Sequence, residues 1–268
     1  MNYVASLPMY DLPELQAAND ALWEALRVRL AASGTPAPRS LDRELPLDDL
    51  WRHPRLLLAQ TCGYPLGKSL HGVVRLVATP RYAAQGCDGP FHRSVVVVRA
   101  GDKAQSLLDT RGQRCAINSR DSNTGMNLLR AEIAPLAKGR PFFSSILITG
   151  AHAGSAQALI EDAADVAAID CVTWAHLRRH RPDLTKGLRV LAWTSRTPGL
   201  PLIAAENLPR AVYRALGSAL EDVMADPALR DVRRVLLLDG VNVLPLTHYR
   251  AAGYLEDLAI RQGYPALA

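Results

Sequence analysis

The residue types best suited to chemistry stand together at Ser122-Asn123-Thr124-Gly125, where a helix-like pattern opens just after a short apolar run. The first backbone N–H groups of a helix have no intrahelical partner. Ser122, Asn123 and Thr124 would place hydroxyl and amide groups beside them, and Gly125 adds no side chain to block approach. A helix start also carries partial positive charge, so a phosphate, phosphonate, sulfate or carboxylate is held there without a lysine. Taken alone, the segment reads as a polar cap facing water. A second cluster, Gly150-Ala151-His152-Ala153-Gly154-Ser155, raises the functional reading. It precedes a helical-looking Ala156–Ala164 and an apolar run, Val166 to Ile169, that ends at Asp170. Strand, His152 loop, helix and carboxylate-ended strand would put His152 and Asp170 at one edge of a parallel sheet, where ligands collect. Ser122 is not read as a hydrolytic nucleophile, because no Gly-x-Ser-x-Gly elbow surrounds it.

The elements that must position these residues follow from hydropathy spacing. Asp11 with Glu14 gives a capping-box-like start, and Leu15, Ala18, Leu22, Leu26 and Leu30 then predict a helix over 12–31. Residues 33–46 read as a proline-bearing connection with a short strand near Arg39–Leu41. Strands are expected at Tyr3–Leu7, Leu56–Ala59, Val73–Thr79, Ser94–Arg99, Ser145–Thr149, Val166–Asp170, Arg189–Thr194 and Val235–Leu238. The four valines inside Ser94–Arg99 predict a strand buried on both faces. Helices are expected at 123–137, 155–163 and 172–180, from an Asn207 cap to about Ala225, and at 247–262. This alternation indicates parallel sheets covered by helices, an α/β chain.

Tyr10 and Tyr64 fall in loops at the C-terminal ends of early strands. Each would either cover the apolar part of a ligand and donate a phenolic hydrogen bond, or pack its own loop. Thr61 and Cys62 share the Tyr64 loop, and Asn118 is expected to bond backbone. Trp174 either lines a cleft or fills the core, and Met126, Leu129, Ile133 and Leu136 have core spacing. Asp170 would receive an amine or stay paired to local N–H groups, which decides between a plain anion and a zwitterion as ligand.

With 268 residues, 49% hydrophobic and 21% charged, the composition is that of a globular chain, and no apolar run is long enough to cross a bilayer. The net charge of +5 comes from scattered basic residues without interleaved aromatics, so small anions are expected as partners rather than nucleic acid. The four cysteines have no Cys-x-x-Cys spacing and indicate neither a metal site nor a redox motif. No cofactor is expected. Free thiols suit a reducing compartment. The chain runs from Met1 into Tyr3–Leu7 without a signal-like segment, which predicts a cytoplasmic protein, or a periplasmic one if a native leader has been removed.

Four features in order resemble the phosphonate-type (phosphate/phosphonate) substrate-binding proteins of ABC transporters. They are the polar helix start Ser122 to Gly125, Gly150-x-His152, the run Ala164 to Asp170, and Thr194-Ser195-Arg196-Thr197-Pro198-Gly199-Leu200-Pro201. The resemblance covers Val4 to about Leu220. It implies a two-lobed type II periplasmic-binding-protein-like fold, each lobe a mainly parallel sheet flanked by helices, joined by a two-strand hinge. Lobe one would hold residues 1–95 and 196–268, and lobe two residues 96–195. It assigns the anionic head of a ligand to Ser122, Thr124 and His152 in an interlobe cleft, with Asp170 as a weaker transfer. Family members commonly carry Ser-Thr-Ser where this chain has Ser122-Asn123-Thr124.

The function this implies is a solute-binding protein that clamps a small phosphonate-like anion, as the receptor of an ABC permease or as a cytoplasmic sensor. The alternative is a cytoplasmic enzyme on the same fold, with His152 and Asp170 as its acid–base pair, since fold alone does not decide function. Enzymes of menaquinone and thiamine-pyrimidine pathways resemble these receptors, but this chain has neither the cysteine cluster of the latter nor a clear match to the former. A LysR-type effector module shares the fold but normally follows a DNA-binding helix-turn-helix.

Overall fold

Short apolar runs become strands, and helically spaced ones become helices, in a computed structural model that describes residues 3–268. The strands are β1 Val4–Ser6, β2 Leu56–Gln60, β3 Val74–Tyr82, β4 Phe91–His92, β5 Ser94–Arg99, β6 Arg114–Ile117, β7 Ser145–Ile148, β8 Val166–Asp170, β9 Leu188–Trp193, β10 Thr197–Pro198, β11 Leu202–Ala205 and β12 Leu238–Asn242. The helices are α1 Gln16–Ala32, α2 Leu47–Trp51, α3 Gly63–Lys68, α4 Leu128–Ala137, α5 His152–Ile160, α6 Cys171–His180, α7 Arg210–Ala225, α8 Arg230–Val235 and α9 Arg250–Arg261. Two units result: unit one is Met1–Ala83 with Pro198–His248, and unit two is Ala84–Thr197 with Tyr249–Ala268.

Unit one is built on a sheet of order β1-β2-β11-β3-β12. β1 and β2 are parallel, while β11 runs antiparallel between β2 and β3 and β12 runs antiparallel beside β3. Leu22, Trp23, Leu26 and Leu30 of α1 and Leu216, Leu220 and Val223 of α7 share one core with Leu57 and Leu58. Their spacing puts each set on one helix face, and that face is what the sheet buries.

Unit two is built on a sheet of order β7-β6-β8-β5-β9. β6 pairs parallel with both β7 and β8, and β5 runs against its neighbours β8 and β9. The valines of β5 are fully buried, because helices cover both faces of the strand they occupy. β6, β7 and β8 therefore end at the same sheet edge, and β5 begins there, with Ser94 opposite Asp170.

Several local expectations are corrected. No strand forms at Arg39–Leu41; the segment is irregular, Leu41 is buried, and Asp42 N–H donates to the Ala5 carbonyl at 2.7 Å. Asp11 does not cap a helix, since its carboxylate accepts from Arg43 and Asn19, and the helical run begins as a single tight turn at Pro13–Leu15. The residue before α7 is Pro209 rather than Asn207. The apolar run near Val235 is not one strand. α8 extends to Val235, Leu237 takes φ +56°, and β12 starts at Leu238, because an unbroken apolar run carries no periodicity to separate helix from strand. α5 begins three residues earlier than expected, at His152.

The division also differs from the lobe boundaries implied by resemblance, with residues 84–95, 196–197 and 249–268 falling in unit two. The tail is tied there by named contacts. Ala259, Tyr264 and Leu267 join the core of Ile133 and Phe142, Asn127 donates to the Ala252 carbonyl at 2.9 Å, and Phe142 N–H donates to the Ala268 carbonyl at 2.6 Å. An amphipathic stripe says that α9 must be covered, not which sheet covers it.

Ile133, fully buried on α4, tests the core of unit two. Ile133→Ala is expected to cost about 2–5 kcal/mol of stability. Val28→Ala on the exposed side of α1, where Val28 is 52% exposed, should change it by less than about 0.5 kcal/mol, both read by denaturant unfolding.

Candidate functional site

The edge where β6, β7 and β8 end in unit two gathers the residues that the sequence singled out. The chain leaves β6 at Ile117 and β7 at Ile148, and the two exits are clamped together: Thr149 N–H donates to the Ile117 carbonyl and Gly150 N–H to the Asn118 carbonyl, both at 2.9 Å. The helix start after β6 opens with a wide turn over Asn123–Asn127, in which Asn127 N–H reaches the Ser122 carbonyl at 3.0 Å. Ser122 is its cap, its Oγ accepting from Gly125 N–H at 2.9 Å. Such a widened turn loosens the regular backbone pairing at a helix start, and these turns recur at functional sites.

Thr124 and His152 meet, with Thr124 Oγ1 3.2 Å from His152 Nε2. The Thr124 carbonyl is held from below by the Ser94 hydroxyl, which donates to it at 2.6 Å. Gly125 is required by close approach: a Cβ there would lie 1.7 Å from Asn118 Oδ1 and 3.1 Å from His152 Cε1. Asn123 points inward, donating from Nδ2 to Thr197 Oγ1 at 2.9 Å and accepting from Asn127 at 3.1 Å. It is 1% exposed, so its amide braces the turn.

Asp170 lies at the end of β8 and is 1% exposed. Its Oδ1 accepts from the N–H groups of Val172 and Thr173 at 2.9 and 3.0 Å, capping α6. Its Oδ2 lies 3.0 Å from Nδ1 of His92, which is equally buried. Burial alone would favour a neutral carboxyl, but the His92 charge and contact, the His152 ring and the Thr173 N–H hold Asp170 down to about 2. Burial would likewise push His92 towards neutrality, and the Asp170 carboxylate more than reverses it, so the His92 value is raised. His152 is partly exposed as a residue, yet its ring lies deep. Burial lowers its value despite the Asp170 charge and a hydrogen bond to the Ala168 backbone, which leaves a neutral imidazole at neutral pH.

The structure thus brings Ser122, Asn123, Thr124, His152 and Asp170 together within unit two. Tyr10 and Tyr64 belong to unit one and are described there. Tyr10 is 6% exposed and packs edge-on against Tyr82, with ring centroids 5.1 Å apart. The Tyr64 hydroxyl accepts from Lys68 Nζ at 3.1 Å inside the short helix α3. Trp174 is buried. His92 and Ser94 were missed by sequence reasoning. Their signal was the alternation His92-x-Ser94 at the head of a buried valine strand, which puts both polar side chains on one face. Among the described residues no group of three or more His, Cys, Asp or Glu side chains is arranged to hold a metal ion.

With this geometry in place, the profile of the family described as ABC transporter, phosphonate, periplasmic substrate-binding protein matches residues 56–249. The chain belongs to this family. Solved structures carry the same architecture, the two-lobed type II periplasmic-binding-protein fold. The phosphonate ABC transporter binding protein of Pseudomonas aeruginosa superposes with a TM-score of 0.77 at 15% identity, covering 97% of this chain and 87% of that one. PhnD1 of Prochlorococcus marinus in complex with methylphosphonate gives 0.76 at 13% identity, covering 96% and 97%. A Xanthomonas citri protein bound to ATP gives 0.71 at 18% identity, covering 97% of each chain. No curated protein matches the chain in sequence. Among the described residues of this family member, no helix is long and apolar enough to cross a membrane.

The paired pKa shifts define a pH window. His92, raised on folding, contributes stability that is complete below its unfolded value of about 6.5 and is lost as pH rises through the folded value. Asp170, depressed on folding, contributes above its unfolded value of about 3.9 and loses this as pH falls. The melting-temperature gap between the parent protein and His92→Gln is therefore expected to peak between about pH 4 and 6.5 and to shrink on both sides. A gap that stays constant from acid to alkaline pH would refute the ion pair.

Proposed function

We propose that the protein is the solute receptor of a phosphonate-type ABC transporter, and that unit two supplies the contacts to the anionic head of the ligand. The observation that carries this reading is the meeting of Thr124 Oγ1 with His152 Nε2 at 3.2 Å, beside a helix start whose third residue must be glycine. Helix-start N–H groups and hydroxyls form a donor set for a tetrahedral oxyanion, with the neutral His152 ring set against Thr124. The family match and the methylphosphonate in the Prochlorococcus neighbour support phosphonate as the ligand class. Ser122 contributes through its remaining O–H, while Asn123 acts by bracing the turn. Tyr10 and Tyr64 are held by packing in unit one and carry no assigned ligand contact in this reading.

Asp170 is read as the residue that positions His92 and α6 rather than as a ligand contact. Both of its oxygens are engaged, and it is buried. A ligand ammonium would find this carboxylate already neutralised by His92, so the preferred ligand is a plain alkylphosphonate rather than an aminoalkylphosphonate. The enzyme alternative needs Asp170 to exchange a proton near neutral pH, and a carboxyl held at about 2 has none to give. The permease partner follows from the receptor role. That role also requires the periplasm, whereas a sensor would reside in the cytoplasm, and osmotic-shock fractionation of the producing cell decides between the two.

A thermal-shift screen of alkylphosphonates, aminoalkylphosphonates, phosphate and sulfonates tests the reading. Ligand at one hundred times its dissociation constant adds about 2.7 kcal/mol of stability. The mass of the stabilising compound should be unchanged after incubation, and a changed mass would overturn the receptor in favour of the enzyme. Thr124→Val and His152→Ala are each expected to weaken binding about tenfold to hundredfold, the usual loss for one charge-assisted hydrogen bond. Isothermal titration showing undiminished affinity in both variants would refute the site.

A further inference from the structure

Cys87 and Cys171 stand far apart in sequence, yet their Sγ atoms lie 3.6 Å apart within unit two. Both are free thiols. Cys171 follows Asp170 directly and opens α6. Cys87 lies in the loop between β3 and β4, whose shape is set by Cys87 N–H donating to the Ala84 carbonyl at 3.0 Å and by the Asp88 and Phe91 backbones exchanging hydrogen bonds at 2.9 and 3.1 Å.

The preceding Gly86 permits the contact. It takes φ +99°, and a Cβ there would lie 3.0 Å from Cys171 Cβ and 2.4 Å from the Trp193 ring. A backbone that passes this close to α6 presents the next side chain to the Cys171 sulfur. Bond formation needs the sulfurs to approach to about 2.05 Å, a closure of about 1.5 Å.

We propose that Cys87 and Cys171 form an intramolecular disulfide when the protein meets a disulfide donor, fastening the 84–90 loop to the residue after Asp170. Cys87 is the entry point, because it is partly exposed whereas Cys171 is 1% exposed. The hydrogen bond shared with Cys87, burial and the Asp170 charge all push the Cys171 thiol upward, so it stays protonated until the second step. With glutathione disulfide as donor, the Cys87 thiolate attacks one glutathione sulfur and releases the other glutathione as thiolate. Cys171 then loses its proton to water and attacks Cys87 Sγ, releasing the second glutathione thiolate. Two protein thiols are oxidised, one glutathione disulfide is reduced to two thiols, and the two protein protons end on the two glutathiones. The family to which the chain belongs is periplasmic, and that compartment is oxidising.

The folded protein incubated with glutathione disulfide provides the test, read by intact mass, thiol titration and peptide mapping. The expected result is a mass loss of about 2 Da, a fall from four titratable thiols to two after denaturation, and a linked peptide pair containing Cys87 and Cys171. The Cys62→Ser variant should behave in the same way. Cys171→Ala should instead stop at the glutathione adduct on Cys87, which keeps the test informative even if the linked form resists digestion. Four thiols remaining, a stable adduct on the parent protein without closure, or linkage to Cys62 or Cys115 would each overturn the proposal.

Discussion

A carboxylate buried at the end of a strand is the constraint around which unit two is arranged. Taking the charge of Asp170 out of water would be costly if it were left alone. It is compensated from two sides, by the first N–H groups of α6 and by the His92 ring. One group therefore fixes where α6 begins and which way β4 delivers its histidine. The His152 ring lies in the same field but stays neutral because burial outweighs the attraction.

Sheet direction makes this compensation possible. Because β6, β7 and β8 run the same way, the loop after Ile117, the loop before His152 and the Asp170 carboxylate reach the same edge. Because β5 runs the other way, it starts at that edge and adds Ser94 opposite Asp170. Residues from four separate stretches thus converge without any being neighbours in sequence. A single substitution at Gly125 would disturb several at once, since Asn118 and His152 both press on it.

The three motif positions and the β5 strand were legible in the sequence, through hydroxyls at a helix start, Gly150-x-His152, a strand ending in Asp170 and four valines in a row. Those signals are local, and periodicity reports local structure well. The inward turn of Asn123 was not legible, because its partner Thr197 lies in a distant segment. The Tyr10 and Tyr64 rings could not be placed either, since an aromatic in a loop has the same spacing whether it faces a ligand or its own neighbours.

Composition and hydropathy by themselves determined an α/β chain, many of its strands and helices though not β6 or β11, and the chemical character of the helix start, because each depends on residues within a few positions of one another. Tertiary structure alone decided the pairing of His92 with Asp170, the approach of Cys87 to Cys171 and the docking of the C-terminal helix on unit two. These are contacts between segments tens of residues apart. They depend on sheet order and on which face each helix covers, and no local pattern encodes either.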